Sequence, residues 1–97
     1  HLAADDPRLA IVLGLKAQID SDLGHTREAI ASAREALAIA EKTHAADSIE
    51  VATPLSTLGE VYLMAGDFDA ALPLLQRAVE SARLHDRAQL EFSTARS

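Results

Sequence analysis

Apolar residues along this chain fall at helical intervals. Leu9, Val12, Leu13 and Ala17 share one face of a first block, and Ile30, Ala33, Leu37 and Ala40 share one face of a second. Strand-type alternation is absent. The pattern predicts helices over Pro7 to Leu23, Arg27 to His44, Ser48 to Ala65 and Phe68 to Leu84, with a fifth starting after Asp86. Asp6 is placed to cap the first helix, with Pro7 at the position where no backbone donor is needed. Gly24 and Gly66 follow helix ends, where a positive φ closes the last turn. Thr26 and Asp67 are placed to cap what comes next. Asp47-Ser48-Ile49-Glu50 reads as a capping box. Pro54 either bends the third helix or moves its start to Thr53, and Pro73 should remove one bond from the fourth.

The chain also repeats itself. An offset of 42 superimposes Leu13 on Leu55, Ala17 on Gly59, Ile19 on Val61, Gly24 on Gly66, Ala29 on Ala71, Ala36 on Ala78 and Leu37 on Val79. Each copy is therefore a helical hairpin with a tight polar turn. Small residues at Ala17, Ala29, Ala33, Ala36, Gly59, Ala71 and Ala78 let helix axes approach, while Leu13, Leu37, Leu55, Leu58 and Leu75 fill the wider gaps.

The second copy, Leu55-Ser56-Thr57-Leu58-Gly59-Glu60-Val61-Tyr62 followed by Ala65-Gly66-Asp67-Phe68, Ala71-Leu72, Leu75 and Ala78-Val79, resembles a tetratricopeptide repeat. The first copy departs at Asp20, where Tyr62 stands in the second, and at Thr26, where Phe68 stands. The 42-residue spacing is similar to the long-helix variety of kinesin-light-chain-like and bacterial signalling proteins. The resemblance implies an all-α fold, a right-handed superhelix of antiparallel hairpins, with about two and a half repeats in a single domain. Repeat 1 would span about 6–45, repeat 2 about 47–85 and a partial third repeat about 86–97.

Charge and composition narrow the function. Nine Lys and Arg against fifteen Asp and Glu leave a net charge of −6, the cations are scattered, and Tyr62, Phe68 and Phe92 are the only rings besides histidine. No basic stripe or stacking platform for nucleic acid is present. No apolar run has the roughly 20 residues of a membrane span. The absence of cysteine removes disulfides and thiolate chemistry, and it favours a reducing, cytoplasmic setting. The chain opens on His1-Leu2 without a methionine, which reads as a tag remnant or an excised piece of a longer polypeptide rather than a natural start.

Catalytic and metal chemistry find little support. His25, His44 and His85 lie at turns or helix ends without an i, i+4 partner; Asp20 and Asp22 lack the further oxygen ligands of a calcium loop; Gly14 and Gly24 precede no Gly-Lys-Ser/Thr. No cofactor, metal or enzymatic activity is expected. The resemblance implies instead a groove lined by the first helix of each hairpin, which receives a peptide or a partner helix of another protein. Carried onto this sequence, the groove residues are Ile11, Leu15, Gln18, Ser56, Thr57, Glu60 and Met64, with Gly14 and Thr53 beside them, and core packing is the alternative for Leu15 and Met64. The Lys and Asn that grip a peptide's terminal carboxylate in one branch of the family are missing from that face. Exposed repeat ends also imply self-association or helix exchange.

Overall fold

The computed structural model describes residues 6–45 and 48–96. They form four helices, α1 (Pro7–Asp22), α2 (Thr26–Thr43), α3 (Ile49–Met64) and α4 (Phe68–Arg96), and no strand is found among them. α1 packs on α2, α3 on α4, and α2 on α3, while α1 also touches α3. This is the all-α helical-hairpin repeat expected from the sequence.

The two hairpin turns are built alike, atom for atom, 42 residues apart. Gly24 at φ 82° and Gly66 at φ 84° occupy the left-handed region that favours glycine. In the first turn the amide of His25 donates to the Asp20 carbonyl at 2.7 Å and that of Gly24 to the Ser21 carbonyl at 3.1 Å. In the second, Asp67 donates to Tyr62 at 2.9 Å and Gly66 to Leu63 at 3.0 Å. Each turn thus satisfies carbonyls that the end of a helix would otherwise leave open.

Helix starts follow the sequence in part. Asp6 caps α1, its carboxylate accepting from the Arg8 amide at 2.9 Å, and Asp67 accepts from the Ala70 amide at 3.2 Å. Thr26 does not cap α2: it is the first helical residue, and His25 holds the cap position without a side-chain bond. The capping box does not form around Ser48 either, because its hydroxyl turns back to donate to the Ala45 carbonyl at 2.7 Å, and Asp47 lies outside the described residues. α3 begins at Ile49 and carries Pro54 inside it, which settles the choice left open by the sequence against a start at Thr53.

The largest departure is α4. No fifth helix begins after Asp86; α4 runs without a break from Phe68 to Arg96, 29 residues. The stretch His85-Asp86-Arg87-Ala88-Gln89 holds neither glycine nor proline, and arginine, alanine and glutamine propagate a helix readily.

The core lies where the hairpins cross. Ala17, Ala29, Ala33, Leu37, Ala40, Val51, Leu55, Leu58, Val61 and Ala78 form one buried cluster, with Ile30, Tyr62 and Leu74 packed against it. Its largest fully buried side chains are only Leu55 and Val51. The small residues singled out in the sequence are all buried. Close approach of the helix axes, rather than bulky side chains, fills this interior.

Candidate functional site

α1 and α3 are the first helices of the two hairpins, and a trough runs between them. Its deeper part has a volume of about 440 Å³ and is lined by Ile11, Gly14, Leu15 and Gln18 from α1 and by Ile49, Thr53, Pro54 and Thr57 from α3. Ala40, Thr43 and His44 close it at the C-terminal end of α2. A second cavity of about 270 Å³ shares Gln18 and Thr57 with the first and adds Ser21, Asp22, Glu60 and Met64. The two are therefore one continuous groove.

Six of the seven residues expected on this face line it: Ile11, Leu15, Gln18, Thr57, Glu60 and Met64. Ser56, half-buried, lines neither cavity. Leu15 and Met64 are exposed, at 57% and 73%, so neither is core. Thr57 is buried and donates its hydroxyl to the Thr53 carbonyl at 3.1 Å, while Thr53 donates to the Ile49 carbonyl at 3.0 Å. With both hydroxyls spent inside α3, these threonines offer the groove mostly hydrocarbon.

The cations nearest the groove are already engaged. Arg8 donates to the Asp6 carboxylate at 2.7 Å. Hydrogen bonds from its guanidinium, and then from its backbone amide, lower the Asp6 pKa to about 2. Lys16 donates to Asp20 at 2.7 Å, and that bond holds the Asp20 carboxyl below its ordinary range, with His25 at 3.7 Å adding a smaller effect. Asp22 and Glu60, by contrast, make no hydrogen bond or ion pair among the described residues. The groove is thus apolar at Ile11, Leu15, Ile49 and Pro54, with one unpaired carboxylate, Glu50, lining that part and two, Asp22 and Glu60, lining the part beyond Gln18 and Thr57.

Other chemistry is sparse. Among the described residues, no three His, Asp or Glu side chains gather to hold a metal, and no buried polar side-chain atom lacks a hydrogen-bond partner. The sequence did not single out His44, Ile49, Pro54 or Asp22 as groove residues. The first three belong to the junction between hairpins, which the periodicity of each hairpin taken singly does not reach. Asp22 carries a signal in the sequence, a carboxylate one turn past Gln18 on the same helix face.

The family model described as tetratricopeptide repeat matches residues 8–83. The chain belongs to the tetratricopeptide repeat family. The match covers both hairpins and stops within α4, before the segment that extends past the second repeat. No curated protein and no solved structure gives a significant match to the chain. Tetratricopeptide repeats are in general non-catalytic modules for protein–protein interaction, stacked so that each repeat contacts its neighbours. No helix among the described residues is long and apolar enough to cross a membrane.

Proposed function

We propose that this tetratricopeptide module binds a segment of another protein in the α1/α3 groove, and that the segment carries apolar side chains followed by a basic one. The observation that carries the reading is the groove's own polarity: an apolar trough at Ile11, Leu15, Ile49 and Pro54 with Glu50 as its one unpaired carboxylate leads to the unpaired pair Asp22 and Glu60, where the acidic charge is denser. Burying two or three apolar side chains supplies affinity, and a lysine or arginine reaching the acidic end fixes direction. The 42-residue spacing supports membership of the long-helix variety, and the module then serves a larger cytoplasmic signalling or regulatory protein as its recognition element rather than its catalyst.

A displayed library of random peptides selected on the immobilised protein tests this. Selected peptides should pair apolar residues with a Lys or Arg downstream. Leu15→Glu should abolish their binding. Glu60→Gln combined with Asp22→Asn should weaken it severalfold and flatten its salt dependence. All three positions are solvent-facing, so helicity should not change. Peptides that bind the wild type and Leu15→Glu equally well would place recognition outside the groove.

A further inference from the structure

Three of the four glycines meet a need of the fold. Gly24 and Gly66 sit at positive φ in the two turns, and a β-carbon at Gly59 would press on Leu75 at 2.7 Å. Gly14 meets none. It lies in the middle of α1, its φ is not positive, and a β-carbon built on it finds nothing within 4 Å. Alanine would fit there without strain and would make a better helix, because glycine in a helix interior weakens folding about fivefold relative to alanine. The 42-residue repeat does not call for glycine either, since the counterpart of Gly14 is Ser56.

What Gly14 does have is a place in the groove. It lines the part of about 440 Å³, with Ile11 on the turn before it and Gln18 on the turn after. Pro54 and Thr57 line the same cavity from α3, the Thr57 hydroxyl already spent within that helix. Ser56 lines no part of it. The missing side chain therefore opens α1 down to its backbone at one point of a mostly hydrocarbon wall, and it does so in the first hairpin only. Ile11 and Leu15, both exposed, stand beside that point on the helix surface.

We propose that Gly14 is the specificity-determining residue of this groove, and that the notch it leaves receives one bulky apolar side chain of the bound segment, of leucine or phenylalanine size. The proposal rests on the groove reading above and adds which residue sets the size of the partner's side chain. A glycine kept in a helix against stability, with open space in front of it, is accounted for when a ligand fills that space and approaches the backbone closely. A small side chain would leave the notch empty and forfeit contacts with its lining, so the occupant is a large one.

Gly14→Ala and Gly14→Leu test this. Gly14→Ala should raise the folding equilibrium constant about fivefold in denaturant unfolding. A destabilised Gly14→Ala would show that the glycine serves the fold, and it would overturn the proposal. For binding, the probe is the tightest peptide selected from a displayed random library on the wild-type chain, made again with each of its large apolar residues replaced in turn by alanine. One replacement should weaken binding to the wild type about tenfold or more. The same replaced peptide should bind Gly14→Leu more tightly than the original peptide does, because the new side chain fills the space that the peptide's own gives up. Gly14→Ala should shift the preference the same way by less. Substitutions at Gly14 that weaken every peptide by one common factor, or none at all, overturn the proposal. The two readings fail separately. Binding untouched by Leu15→Glu and Gly14→Leu alike lies outside the groove and sinks both, whereas binding that Leu15→Glu abolishes, with no change of size preference on Gly14→Leu, keeps the groove and removes the notch.

Discussion

A β-carbon added at Gly59 would lie 2.7 Å from the Cγ and Cδ2 atoms of Leu75, while the Ala71 carbonyl oxygen, at 3.5 Å, is at ordinary contact distance. Gly59→Ala gains about 1 kcal/mol of helix propensity. Against that stands overpacking, which typically costs about 1–3 kcal/mol, partly relieved here because Leu75 is only half-buried and can swing outward. A small net loss, on the order of 1 kcal/mol, is expected in denaturant unfolding. Ala71→Leu should cost more, about 3 kcal/mol, because that position is 1% exposed and has no such outlet. Ala45→Leu, at an exposed site, should change nothing measurable. Asp6 gives a different residue-scale test. Its folded-state pKa of about 2 lies below the ordinary carboxylate value of about 3.9, so its stabilising effect is complete above the latter and fades as pH falls through the former. The melting temperatures of wild type and Asp6→Ala should therefore differ by a constant amount near neutrality and converge as pH drops from about 4 to about 2.

Among the elements, the turns were the most legible in the sequence and the fourth helix the least. Gly24 and Gly66 mark their turns because a positive φ is a local demand that one residue type answers. The end of a helix without glycine or proline has no such marker: at His85–Gln89 the repeat pattern argued for a break, while local propensity favoured continuation, and α4 continues. Two of the expected caps failed for local reasons: the Ser48 hydroxyl turns back to the Ala45 carbonyl, and a one-residue shift in register makes Thr26 the first helical residue instead of the cap. The prolines can be compared directly. Each sits at the sixth residue of its helix, Pro54 buried in α3 and Pro73 exposed in α4. An interior proline costs a helix about 3 kcal/mol through a lost bond and a steric clash. Pro73→Ala restores a donor for the Asp69 carbonyl and removes no packing. After the entropy that proline takes from the unfolded chain is allowed for, it should stabilise by about 2 kcal/mol in chemical denaturation. Pro54→Ala should gain less, because it vacates volume in a buried position.

At the scale of the whole molecule, repetition made the fold readable: an offset of 42 fixed which helices pair, and pairing fixed that α1 and α3 flank one groove. The groove's walls followed from helical periodicity. Its floor did not, because His44, Ile49 and Pro54 come together only when two hairpins meet, and its net acidity depends on the pairing of Arg8 with Asp6 and Lys16 with Asp20, which the sequence does not fix. Tyr62 adds an optical property to this arrangement. It is the single tyrosine in a chain without tryptophan, and it packs half-buried against the core from α3. Intrinsic ultraviolet emission therefore arises from one site in the second hairpin, and the first hairpin is dark. Tyrosine emission followed beside circular dichroism, which sees both hairpins, distinguishes melting of the second hairpin alone from concerted melting of the pair, with no dye attached.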